Sequence, residues 1–335
     1  MKKHKICKIL LVILAIFLCV AFYELLGICV AYKKQPEVSN TTKKETKNGS
    51  WNECSENTER AVIIEKNPEA LLQRVRLIKN AKKEIILSTF AFQSDESGKL
   101  ILGALHDAAD RGVHIRLLVD GMESWIDMEG NPYFYGLSSH ENVEIKLYNK
   151  ANPLKPWKMM GRMHDKYLIA DGKRYILGGR NTYNYFLGDF PGHKNYDRDV
   201  LVVCDEPEKE NSVNQLSEYF ETIWNQEDSG YFHNNKKLAN RKSVKNAVLE
   251  LQNSYQKYFE ENKERICETD YTDETFETEK ITLVSNPIHT GSKEPVVWYQ
   301  LGELMKNAKD RVKIHTPYII CNDMMYNTCL LYTSD

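Results

Sequence analysis

Apolar residues fall along this chain in runs of three kinds, and each kind predicts an element. Residues 9–32 are apolar apart from Glu24 and Gly27. At ~1.5 Å rise per residue such a helix reaches about 36 Å, more than the roughly 30 Å hydrocarbon core of a bilayer. From residue 61 the runs are shorter. Residues 61–65 read as a strand, and Asn67-Pro68-Glu69-Ala70 opens a helix carrying Leu71, Leu72, Val75 and Ile78 at helical spacing. Residues 84–92 are strand-like, residues 99–111 form a helical pattern stopped by Gly112, and residues 113–119 and 143–148 alternate as strands. Strands alternating with helices predict an α/β fold, a mixed or parallel sheet sandwiched between helices.

Farther on, residues 212–224 show Leu216, Tyr219, Phe220 and Ile223 on one helical face, and residues 236–265 form a charged helical stretch with a narrow apolar stripe. Two segments have little to bury. Residues 33–60, rich in Lys, Asn, Thr, Ser and Glu, read as a polar tether, and the acidic residues 269–279 read as a linker. The expected organisation is a membrane anchor (1–32), a tether (33–60), a first domain (61–235), a charged helical segment with its linker (236–279) and a further unit from residue 280.

Charge refines this picture only at the amino terminus. Lys2, Lys3, Lys5 and Lys8 precede the apolar run, which favours a retained single-pass anchor with the amino terminus cytoplasmic and the bulk outside. Lys33, Lys34, Lys43, Lys44 and Lys47 beyond the span offset that bias. A cleaved signal peptide is the competing reading; no Ala-x-Ala site is present, and Ile28 is too large to precede a lipid-modified Cys29. Overall, 45 Lys and Arg balance 47 Asp and Glu, so charge gives no argument for a nucleic-acid partner and any anion site must be local. The eight cysteines show no CxxC spacing, hence no zinc site or disulfide framework.

The candidate chemistry lies between Met163 and Asn181. His164 and Lys166, two apart on a strand, project to one face, where neutral imidazole can attack phosphorus and an ammonium can hold phosphoryl oxygens. A His beside a Lys is commonly no more than a solvated strand edge. Here the pair belongs to a longer phrase, His-x-Lys-x4-Asp-x6-Gly, followed by Gly178-Gly179-Arg180-Asn181. This phrase resembles the HKD motif of the phospholipase D superfamily, within it the membrane-bound bacterial cardiolipin synthase-like branch, with Gly179 where the family usually has Ser.

The resemblance implies a phospholipase D-like mixed sheet flanked by helices, built from two homologous halves whose motifs meet across a pseudo-twofold axis. It implies that one His attacks phosphorus to form a phosphohistidine while the other protonates the leaving alcohol. Water or a second alcohol then resolves the intermediate, and neither a metal nor another cofactor takes part. Carried onto this chain, His164, Lys166 and Asp171 form the catalytic set, with Gly178, Gly179 and Asn181 on the phosphate. Asp197 is the residue expected to orient His164 through its other nitrogen. Plainer readings stand beside these. Asp171-Gly172 suits a turn, and Asp197 and Asp199 suit a surface ion pair with Arg198. Residues 152–162, with Lys155, Lys158, Arg162 and Trp157, are either an ordinary loop or a basic mouth for an anionic lipid headgroup.

A repeat follows. Leu77-Ile78-Lys79-Asn80-Ala81-Lys82 returns as Leu304-Met305-Lys306-Asn307-Ala308-Lys309, an offset of 227 that would carry His164 to position 391, beyond Asp335. His315 falls in the second-copy strand and reads as a packed residue. The expectation is that the second half is only begun and that these 335 residues, a fragment, turn over nothing alone; a homodimer pairing two copies of His164 is the alternative. The expected function is phosphatidyl transfer or phospholipid hydrolysis at a membrane, against a nuclease or a non-catalytic tethered binding protein.

Overall fold

The structure is a computed structural model that describes residues 2–47, 59–204, 211–233, 235–314 and 323–330. It begins with two helices. The apolar α1 (Lys2–Tyr32) is long and apolar enough to cross a membrane, and the short α2 (Asn40–Lys47) follows it. The next elements are β1 (Glu59–Ile64), α3 (Asn67–Asn80), β2 (Glu84–Thr89), α4 (Glu96–Asp110), β3 (His114–Asp120), α5 (Glu123–Asp127), α6 (Pro132–Ser138) and β4 (Val143–Tyr148). A hairpin of β5 (Tyr167–Ala170) and β6 (Arg174–Gly178) leads to β7 (Asp199–Cys204), α7 (Ser212–Trp224) and β8 (Ser229–Tyr231). The remainder contributes α8 (Lys242–Glu261), α9 (Lys263–Cys267), β9 (Phe276–Glu277), α10 (Val296–Lys306) and α11 (Asp323–Leu330).

Among the described residues all nine strands share one sheet, in the order β8-β4-β3-β2-β5-β6-β7-β1-β9. The pairs β2–β3 and β3–β4 are parallel, joined through helices, and the rest are antiparallel. Alternation along each strand divides the core in two. Ile85, Leu87, Ile115, Leu117, Leu168, Ile176 and Leu201 face one cluster with α3, α4, α6 and α8. Ile86, Leu118, Tyr167, Ile169, Tyr175 and Val202 face the other with α7. The expected mixed sheet flanked by helices is therefore the observed one.

Two expected spacers are docked instead. In the acidic stretch, Arg76 is buried and donates to the carbonyls of Glu268 (2.8 Å) and Asp270 (2.7 Å) and to the Glu274 carboxylate (2.8 Å). Tyr271 lies buried with the Arg76 guanidinium 3.8 Å over its ring, and Phe276–Glu277 adds the edge strand β9 to β1. Composition misleads here because the bonds use backbone carbonyls, which composition does not register. In the tether, the Thr42 hydroxyl donates to Glu294 (2.7 Å), which also accepts from the Ser39 N–H (2.8 Å). The repeat's helix is present as α10. The strand expected after it, with His315, lies outside the described residues.

Candidate active site

The site grows from the end of the β5–β6 hairpin away from its turn. β5 begins only at Tyr167, so His164 and Lys166 stand in the extended lead-in and not within the ladder as the strand spacing predicts. One ladder bond continues past the strand: the Gly178 N–H donates to the Lys166 carbonyl at 3.1 Å. Beyond it, Asp120 fixes the lead-in, accepting from the Met163 N–H (3.0 Å) and the Arg162 guanidinium (2.9 Å).

His164 is exposed, its ring edge-on to Phe90 at 4.7 Å between centroids. Burial of part of the ring, and secondarily the Lys166 charge, hold its pKa below the usual histidine value. Lys166 is only 6% exposed, and its Nζ turns back to donate to the His164 carbonyl at 2.6 Å. Burial pushes its pKa down to about 8 against the opposing pull of Asp165 and Asp197. Asp165 accepts from the Tyr219 hydroxyl of α7 at 2.8 Å.

His164, Asp165, Lys166 and Gly178 line a cavity of about 370 Å³. Leu216 and Tyr219 of α7 form a second wall, and Leu283 to Val297, including Lys293, close a third. That closing segment is tied down: Gln215 Oε1 accepts from the Leu283 N–H (2.8 Å), and Gln226 Nε2 donates to the Ile288 carbonyl (2.8 Å). Lys293 donates to the Arg162 carbonyl at 3.3 Å, and burial lowers its pKa. No pattern in the sequence marks Lys293 as a pocket residue; it arrives from about 130 residues downstream by packing alone.

The other expected site residues take different positions. Asp171 sits at the hairpin's opposite end, beyond all four residues of β5, with a left-handed φ of 54°. Its carboxylate accepts from the N–H groups of Lys82 (2.9 Å), Lys83 (2.8 Å) and Glu84 (3.0 Å), which places it in the turn and away from the cavity that His164 and Lys166 line. Gly178 and Gly179 were expected to let backbone approach phosphate, yet carboxylates take the room they leave. A Cβ at Gly178 would stand 2.0 Å from Asp199 Oδ1, and one at Gly179 2.0 Å from Asp197 Oδ2. Asn181 is buried and its Oδ1 accepts from the Ala91 N–H at 3.2 Å.

Asp197 makes no hydrogen bond to His164 among the described residues. It lies against Gly179, accepts from the Arg198 N–H at 2.7 Å and acts electrostatically on Lys166. Asp199 is not a surface partner of Arg198 either. It is buried between Arg74 (2.8 Å) and Arg180 (3.2 Å), while Arg198 pairs with Glu65 at 3.0 Å. Arg180, fully buried, also donates to the carbonyls of Ile64 and Glu65 and thereby locks the β6–β7 end onto β1.

Comparison with known proteins covers the stretch that holds most of this pocket. The family model described as "Cardiolipin synthase, PLD-like domain" matches residues 74–224. A Helicobacter pylori (strain J99) protein described as uncharacterized is 28% identical over 292 residues, covering 78% of this chain and 54% of its own length. Cardiolipin synthase C of Escherichia coli K12 is 30% identical over 154 residues, 42% of this chain and 31% of the synthase. Among solved structures, the phospholipase D family member Nuc from Salmonella typhimurium is 19% identical with a TM-score of 0.38, covering 52% of this chain and 98% of that one. The chain spans about half the length of the curated relatives it matches first. Residues 74–224 thus carry a phospholipase D-like domain of the kind that the cardiolipin synthase family model describes.

Proposed function

We propose that the pocket is one half of a phosphodiester-cleaving site that transfers or hydrolyses phosphatidyl groups at a membrane. The observation that carries this reading is the exposed, neutral-leaning His164 imidazole beside the buried Lys166 ammonium on one cavity wall. A ring nitrogen of His164 attacks phosphorus, forming a P–N bond as the bond to the leaving alcohol oxygen breaks. Lys166 and Lys293 offset the charge that develops on the phosphoryl oxygens, and the Asn181 amide holds one of them. An acceptor alcohol, or water, then attacks phosphorus and the P–N bond breaks. The leaving oxygen needs a proton, and His164 is the one histidine among the described residues lining the cavity. A second copy of the motif, in the same protein or in a second chain, supplies that imidazole. The apolar α1 serves as a single-pass anchor that keeps the site beside phospholipid.

Incubating the complete protein in EDTA with phosphatidylglycerol, and separately with single-stranded DNA, tests the reading. Lipid turnover abolished by His164→Ala supports it. DNA cleavage with no lipid turnover overturns it, and loss of all activity on chelation contradicts the phosphohistidine route.

A further inference from the structure

We propose that the loop formed by residues 151–160 is an interfacial wedge that enters the headgroup edge of the bilayer beside α1. The inference rests on α1 being a membrane span and adds where the catalytic domain meets the lipid.

The loop exposes three large apolar side chains: Leu154 (78% exposed), Trp157 (45%) and Met160 (58%). Buried Pro156 starts a single 3₁₀ turn, Pro156–Lys158, that holds them at the surface. The same loop is docked on α1. The Tyr23 hydroxyl donates to the Leu154 carbonyl at 3.1 Å, and Pro156 Cγ lies only 2.5 Å from where a Cβ on Gly27 would stand. Near the helix end, Tyr32 donates to the Thr290 carbonyl (2.5 Å) and Ser292 to the Ala31 carbonyl (3.2 Å). Phe22, Leu25, Leu26 and Val30 on this stretch of α1 remain exposed.

Helix length then sets the depth. A hydrocarbon core of roughly 30 Å takes about 20 residues at ~1.5 Å each. Counted from Ile9, that span ends near Ile28 and places Tyr23 about 7.5 Å inside the far edge. Counted from Ile6, with Lys5 and Lys8 snorkelling, it ends near Leu25, with Tyr23 at the edge. In both registers Leu154, bonded to Tyr23, reaches the hydrocarbon boundary, where Trp and Tyr are favoured. Exposed Lys155 stands next to these apolar groups, suited to anionic headgroups. A lipid surface is therefore the occupant the geometry fits, and the chain runs directly from this wedge through Arg162 to His164.

Fluorescence quenching in vesicles of phosphatidylcholine and phosphatidylglycerol, with bromine at defined acyl depths, reads the position of Trp157. Its signal is isolated as the difference between the full chain and its Trp157→Phe variant. A Phe17→Trp variant reports the span independently. Trp157 is expected to lose more fluorescence to bromines near the headgroup end than to those near the chain tail, and Leu154→Asp should reduce that loss. Strong quenching at Phe17→Trp with none at Trp157 overturns the wedge and leaves the span standing. Absence of quenching at both positions removes the span, and the wedge with it. Quenching of Trp157 that Leu154→Asp and Met160→Asp leave untouched also overturns the wedge, because its insertion depends on those side chains.

Discussion

The two ends of the β5–β6 hairpin come from one stretch, His164 to Asn181, and differ in how well their polar groups are satisfied. At the turn end, the Asp171 carboxylate takes three backbone N–H groups, and Asp171 and Gly172 both adopt left-handed φ, at 54° and 62°. At the open end, a buried ammonium has a backbone carbonyl as its partner and a pKa pushed down to about 8, while the His164 ring has no hydrogen-bonded carboxylate among the described residues. Satisfied groups stabilise a fold and have nothing left to offer a substrate; under-satisfied ones cost stability and remain reactive. One motif therefore carries a structural residue and, only a short strand away, the pair proposed to do the chemistry.

Substitutions at the two ends should separate these effects, the largest first. His164→Ala is expected to lower kcat/KM of the complete protein by at least ~1,000-fold, as for loss of other covalent nucleophiles. It should leave thermal stability nearly unchanged, because the ring is exposed. Asp171→Ala should do the reverse: about 1–3 kcal/mol of stability lost as three donors lose their acceptor, with the activity per folded molecule kept within a few-fold. Denaturant melts alongside lipid-turnover assays measure both, and a large activity loss in folded Asp171→Ala would erase the contrast.

Lys166→Met should move activity and stability in opposite directions. Activity falls with the charge on the phosphate, by roughly 100-fold or more. Stability rises, because lowering a lysine from 10.5 to about 8 by burial corresponds to roughly 3 kcal/mol of strain on the folded state. For a base with a depressed folded pKa, that cost is fully present below about pH 8 and is relieved as pH climbs toward the unfolded value. The stabilisation by Lys166→Met should therefore be largest at neutral pH and fade in alkali, as chemical melts across pH would show.

Much of this was legible before the fold was known. The alternation of apolar runs predicts β4 to the residue, β3 within one and β2 and α4 within three, and from the phrase His164 to Asn181 it is His164, Lys166 and Gly178 that line the pocket. What escaped the sequence depends on distant partners. Asp171 finds its donors about 90 positions upstream, at Lys82 to Glu84. The glycines at 178 and 179 answer to Asp199 and Asp197 on a neighbouring segment, and the acidic stretch after residue 269 is held by Arg76 through carbonyls. Local composition and spacing describe a side chain's chemistry, while burial and partner choice belong to the packed whole.

The same pair of ends sets the pH dependence, and the smallest predicted effect sharpens it. The acid limb of kcat/KM should fall below the ordinary histidine value of 6.5, since protonated His164 cannot attack, and the alkaline limb should lie near 8, where Lys166 loses its charge. Asp197 distinguishes two arrangements of the open end. Its carboxylate raises the Lys166 pKa against burial, so Asp197→Asn should draw the alkaline limb to lower pH, by roughly half a unit, with the acid limb fixed. If Asp197 instead oriented the imidazole, the acid limb would move and the alkaline one would stay. Gly179→Ser acts through the same carboxylate. The serine Cβ needs the place Asp197 Oδ2 holds, at 2.0 Å, and the half-buried Asp197 side chain can turn aside at a cost of about 1 kcal/mol or less. Moving that charge away from Lys166 lowers the alkaline limb in the same direction as Asp197→Asn, and the double variant should add little to either single change.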